Sequence, residues 1–130
     1  MTHPPCGRLV VAFELPIRPE PWRRAEKNGK RHYMDAKSKA YQAAIREACA
    51  EAMTEQGVEL VEKGDLHLWC VFEKRDGRRC DGDNAYKAVA DALNKVAYKD
   101  DRQIIDGRFR SVHYSDHDRV SVAVLRAVEV

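Results

Sequence analysis

Asp65–Glu73 reads DLHLWCVFE. Leu66, Leu68, Cys70 and Phe72 alternate with Trp69 and Val71, so an extended chain here carries apolar side chains on both faces. A strand of this kind needs neighbours at both edges and cover on its faces, which predicts a central place in a sheet packed under helices.

Working outward from that strand, the flanks supply the rest of the domain. Downstream lies the polar run KRDGRRCDGD, and then a helix. Asp83 and Asn84 are both good N-cap types, Val89, Ala92, Leu93 and Val96 make a buried stripe, and the helix runs to about Tyr98. Two strands follow, roughly Gln103 to Tyr114 and Arg119 to Val128, with SDHD as the turn between them. Upstream, Tyr41, Ala44, Ile45, Ala48, Cys49, Ala52 and Met53 recur at helical spacing, which predicts a helix over Asp35–Gln56 stopped by Gly57. Before it, Arg8–Leu15 (RLVVAFEL) reads as a strand. Pro16, Pro19 and Pro21 then exclude both helix and central strand, and the loop continues to Met34 with a turn at Asn28-Gly29. The order β-α-β-α-β-β predicts one α+β domain over residues 1–130, with helices packed on a mixed, mostly antiparallel sheet.

The net charge of +2 hides a segregation. Arg18, Arg23, Arg24, Lys27, Lys30, Arg31, Lys37 and Lys39 crowd one segment against only Glu20, Glu26 and Asp35. The acids gather later, at Asp81, Asp83, Asp91, Asp100 and Asp101. A basic arm beside an acidic focus suits a protein that holds polyphosphate while binding a metal. No C-x-x-C pair is present among Cys6, Cys49, Cys70 and Cys80, so zinc binding through them is not expected. With no apolar run of membrane length and no secretory signal, the expectation is a cytoplasmic chain with reduced thiols and no membrane partner.

Candidate chemistry is concentrated in RRCDGDNAYKAVADALNKVAYKDDRQ. Asp81 and Asp83 are two apart, so an extended segment points their carboxylates the same way. Lys87 lies one helical turn beyond Asp83, and Asp100 and Asp101 follow the helix. Magnesium prefers oxygen ligands in octahedral geometry and keeps several waters, so a few carboxylates at a cleft mouth can hold it beside a phosphate. Each residue also has an ordinary role open to it. Asp83 can serve as a helix cap, Asp81 as a solvated loop acid, Lys87 as the partner of Asp91, and Asp100 and Asp101 as loop acids. His113 and His117 are expected to be solvated turn residues, and His67 and Trp69 core residues. Trp22 either packs its loop down or stacks on an exposed base.

Two blocks give the chain a family likeness. RRCDGDNAYKAVADALNKVAYKDDRQI resembles the pattern of the RusA family of Holliday junction resolvases: basic residues, D-x-D-N, a lysine three residues past the asparagine, D-A-L, and a D-D-x-Q-I close. PIRPEPWRR, followed by Tyr33 and KSKAYQ, is similar to the family's proline-tryptophan-basic opening. The resemblance spans Pro16 to Ile105. It implies a homodimer that binds branched DNA at four-way junctions and makes paired, symmetric nicks with magnesium, manganese being a substitute. Carried over by position, Asp81, Asp83 and Asp101 are the catalytic and metal-binding carboxylates, Asp100 is a neighbouring metal ligand, and Lys87 is the active-site lysine. Phosphate contacts are expected from Arg18, Arg23, Arg24, Lys27, Lys30, Arg31, Arg75, Arg78 and Arg79. Two positions depart from the pattern. Gly82 stands where a bulkier aliphatic residue is usual, which is expected to loosen the loop, and Cys80 stands where arginine is common. A broader branched-DNA nuclease and a non-catalytic junction-binding module are the alternatives.

Overall fold

The computed structural model describes residues 7–20, 24–27, 31–34, 36–78 and 80–127, the side chains of 7, 24–27 and 31–34 excepted. In chain order the elements are β1 (Gly7–Leu15), β2 (Arg24–Lys27), β3 (Arg31–Met34), α1 (Ala36–Gln56), β4 (Leu66–Glu73), α2 (Gly82–Ala92), a 3₁₀ turn (Asp101–Gln103), β5 (Ile104–Val112) and β6 (Arg119–Ala127). The main sheet has the order β1-β6-β4-β5, with only the β4–β5 pair parallel. This is the single α+β domain with a mixed, mostly antiparallel sheet that the sequence pattern predicts.

The strand β4 is interior, as expected, yet its two faces differ. Leu66, Leu68, Cys70 and Phe72 are buried in one core with Ile45 and Cys49 of α1 and Ala85, Ala88 and Val89 of α2. Each such aliphatic or aromatic side chain contributes about 1.5–3 kcal/mol by leaving water. Trp69 and Val71, on the other face, stay half-exposed. There the Arg108 guanidinium lies 5.6 Å from the centre of the Trp69 ring. Trp69 is thus not a core residue, whereas His67 is buried as expected.

Helix α1 stops where the sequence says it should. Gly57 is left-handed (φ 67°), its N–H donates to Thr54 O, and the Val58 N–H donates to Met53 O at 2.9 Å, the two bonds of a Schellman stop. Helix α2 is shorter than expected, ending at Ala92. Beyond it Lys95 adopts φ 66° and its N–H reaches Tyr98 O at 2.7 Å. Tyr98 is fully buried, its hydroxyl donating to Ala90 O at 2.6 Å, so this tight turn trades helical continuation for aromatic burial.

The segment read as one long basic loop holds a small antiparallel pair instead, β2 with β3, in the register Arg24↔Met34 to Lys27↔Arg31. The expected Asn28-Gly29 turn lies outside the described residues, as do Trp22 and Cys6. No described helix is long and apolar enough to cross a membrane.

Candidate active site

The connection from β4 through α2 to its parallel neighbour β5 builds the site. Asp81 is the N-cap of α2: its carboxylate takes the Asn84 N–H at 3.4 Å and the Asn84 side-chain amide at 2.7 Å. The cap therefore falls on Asp81, two positions before Asp83 and three before Asn84, the two expected caps. The reason is visible in the backbone, where Ala85 N–H already donates to Asp81 O at 2.9 Å. Asp83 sits exposed in the first turn, where the helix dipole favours a negative charge.

From Asp83 the helical repeat carries Lys87 and then Asp91 along the same stripe, one turn of about 5.4 Å apiece. Asp101, just before β5, joins Lys87 and Asp91 in lining an open cleft of about 460 Å³. Tyr86, Ala90, Ile104, Ile105 and Gly107 complete its walls. The carboxylates expected to surround one point are thus strung along a helix face. Asp101 stands by Lys87 and Asp91, Asp83 lies one turn toward the helix start, and Asp81 is at the cap. Among the described residues, no three His, Cys, Asp or Glu side chains form a ready-made metal cage.

Burial and the charge of Asp101 together push the Asp91 carboxyl above its ordinary range, with Lys87 acting the other way. The Tyr86 hydroxyl, half-buried on the same wall, is pushed up to about 12, mainly by desolvation. Asn94, at the foot of the stripe, donates its amide N–H to Asp101 Oδ2 at 3.4 Å. Its Oδ1 is buried with no hydrogen-bond partner. The Asp91 and Asp101 carboxylates beside Lys87 are hard oxygen donors of the kind a magnesium-type ion prefers, and among the described residues no thiol or imidazole lines the cleft. The donor set therefore fits such an ion.

Asp100 does a different job. Its carboxylate accepts the Arg102 N–H at 2.9 Å, and the Gln103 side chain accepts the Asp100 N–H at 3.0 Å, so the two close a capping box on the 3₁₀ turn. The Arg102 N–H holds the Asp100 carboxyl below the usual carboxylate range. The spacing D-x-x-Q in the sequence was the available signal for this role.

Of the basic residues, Arg18 is bound to Asp76 at 2.9 Å and lies 3.9 Å from Asp118. Arg75 and Arg78 are exposed beside it. Arg23, Lys30 and Arg79 lie outside the described residues, and so do the side chains of Arg24, Lys27 and Arg31. Lys74, buried at the end of β4, acts electrostatically on both Cys80 and Asp76 and was not singled out from sequence. His117 stays part-exposed in its turn as expected, but its Nε2 lies 2.8 Å from Glu73 Oε2, which also accepts from the Ser115 hydroxyl. His113 is exposed in the bend just after β5, as expected.

The fold and the acidic, lysine-bearing cleft define a class of DNA-cutting enzyme when set beside known families: residues 14–125 match the family described as endodeoxyribonuclease RusA. The match covers most of the chain, and the chain belongs to the RusA endodeoxyribonuclease family. No curated protein matches it at a significant level.

Proposed function

We propose that this chain is a homodimeric resolvase that cuts four-way DNA junctions by paired, symmetric nicks, in a cytoplasmic setting and with magnesium as its metal. The observation that carries the reading is Lys87, flanked along α2 by Asp83 and Asp91 and faced across the cleft by Asp101, within a segment that matches a DNA-cutting family. Lys87 offers a phosphate oxygen a positive charge, and the carboxylates to either side are available to a hard cation at that phosphate. When bound, magnesium, or manganese in its place, supplies Lewis acidity that lowers the pKa of the attacking water and neutralises charge on the phosphate. Asp81, Asp83 and Asp101 would hold it. In-line attack by water breaks the P–O3′ bond and leaves a 5′-phosphate and a 3′-hydroxyl. Asp100 stands next to this set with its carboxylate committed to its own turn, so its contribution is to hold Asp101 in place. Two-fold symmetry of a dimer matches the symmetry of a four-way junction and sets two cuts on opposing strands.

Arg75 and Arg78 are exposed on the loop leading to α2 and are suited to meet phosphates, together with Arg23, Arg24, Lys27, Lys30, Arg31 and Arg79. The test is a nicking assay with wild-type chain, Asp83→Asn and Asp101→Asn on synthetic four-way, flap and linear DNA, with and without magnesium. Both variants are expected to lose cleavage by about two orders of magnitude or more while binding the junction at least as well, since a negative charge near DNA is gone. Lys87→Ala is expected to slow cutting with the fold intact. Wild-type rates in either aspartate variant would overturn the assignment. Equal cutting of flaps and junctions would point to the broader nuclease, and junction binding without any cutting to the non-catalytic module.

A further inference from the structure

The acids named above sit on α2 and on the 3₁₀ turn that leads into β5, so their separation depends on how α2 is seated against the sheet. Alongside the Asn94–Asp101 hydrogen bond, that seating is set by the contact between α2 and β5. Gly82 and Tyr86 are four residues apart and share the helix face toward the sheet. Gly107 and Phe109 are two apart and share the strand face toward the helix. The four residues interlock reciprocally. A Cβ placed on Gly82 would stand 2.0 Å from Cε1 of Phe109, and one placed on Gly107 would stand 2.0 Å from the Tyr86 hydroxyl oxygen. Each glycine is thus a socket filled by an aromatic side chain of the opposite element. The Phe109 ring, 41% exposed on its outer side, also lies 6.4 Å from Tyr86 and 6.3 Å from the buried Phe72, centre to centre.

We propose that this double glycine–aromatic interlock is the device that positions the catalytic acids, with Phe109 and Tyr86 as its positioning residues; the inference rests on the reading of Asp81, Asp83 and Asp101 as the site. Successive helical residues are about 100° apart, so seating Gly82 and Tyr86 fixes the azimuth at which Asp83 and Lys87 are displayed. Seating Phe109 on Gly82 fixes α2 along its axis. Because the 3₁₀ turn that carries Asp101 runs straight into β5, the interlock sets the separation of Asp83 from Asp101. It also explains why Gly82 can replace a bulkier side chain: Gly82 is buried under Phe109, so the loop is held by a ring from β5 and not loosened.

The experiment exchanges volume between the two elements. Gly82→Val drives a branched side chain into the Phe109 ring and is expected to lower single-turnover cleavage at saturating junction by roughly tenfold to a hundredfold, as small misplacements of reacting groups do. Junction affinity without divalent ions should stay within about twofold, because most of the proposed phosphate contacts lie outside α2 and are untouched by the substitution. Phe109→Ala alone should also slow cutting. The double variant Gly82→Val with Phe109→Ala refills the socket from the helix side and should recover most of the rate and the wild-type magnesium dependence. If the double variant is no faster than the slower single one, or if Phe109→Ala cuts as fast as wild type, the interlock does not position the site. Should Gly82→Val fail to fold, Gly82→Ala takes its place in the same cycle. Should the wild-type chain cut no junction, the functional reading falls and the interlock is judged by manganese affinity in calorimetry. Weakening in the single variants and recovery in the double supports it, and equal affinity in all of them overturns it.

Discussion

Half-buried beside Asp101, the Asp91 carboxyl is pushed above its ordinary range first by loss of water and then by the neighbouring acid, with Lys87 opposing. An acid whose folded pKa exceeds its unfolded value near 3.9 disfavours folding once ionised. That cost is absent below the unfolded value, grows as pH rises through the folded one, and is complete above it. Asp91→Asn is therefore expected to raise the melting temperature at pH 7, with the gain fading as pH falls toward 4. Thermal melts across pH 3.5–7.5 in metal-free buffer check this. A variant less stable than wild type at pH 7 would mean that the Lys87 pairing outweighs both the burial and the repulsion. From sequence, Asp91 reads as the i+4 partner of Lys87, and only the return of the chain through Asp101 reveals it as part of an acidic cleft.

Among the elements, α2 asks one residue to do two jobs. The Asp81 carboxylate caps the helix through Asn84, and in the proposed function it is also a metal-binding acid. Two substitutions separate the roles. Asparagine is as good an N-cap as aspartate, whereas alanine costs about 1 kcal/mol at such a position. Asp81→Asn should melt close to wild type and Asp81→Ala several degrees lower, while both lose cleavage. Equal melting of the two would remove the capping role, and wild-type cutting by Asp81→Asn would remove the chemical one. The difficulty of reading this cap from sequence was local, because Asp81, Asp83 and Asn84 are all cap formers within four positions and periodicity cannot choose among them. Helix α1 was legible because its stripe is long and Gly57 needs the left-handed conformation that ends it. The pair β2–β3 was not legible, since its short strands carry charges and follow three prolines. The Gly82–Phe109 contact joins residues 27 positions apart, and neither residue carries any local sign of the other.

For the whole molecule, the decisive question is which cations are available to DNA. Arg18 leaves β1 and meets Asp76 from the loop after β4 and Asp118 from the β5–β6 turn, so its guanidinium ties three distant segments together. The Arg18 hydrogen bond is also the main reason that the Asp76 carboxyl sits below its ordinary range. To contact a phosphate, Arg18 would have to give up these partners, whereas Arg75 and Arg78 are exposed on the loop that the same clamp shapes. Salt dependence separates the two classes of arginine, because each phosphate contact adds about 0.9 to the slope of log affinity against log salt. Replacing Arg75 and Arg78 together by alanine should lower that slope by roughly 2 with the melting temperature unchanged. Arg18→Ala should leave the slope intact and lower stability only slightly, since the pair is part-exposed and screened by water. Junction-binding titrations from low to moderate salt, paired with melts of the same variants, measure both quantities. A slope that drops by about 1 on removing Arg18 would show that the clamp opens on DNA and that this arginine counts with the phosphate ligands after all.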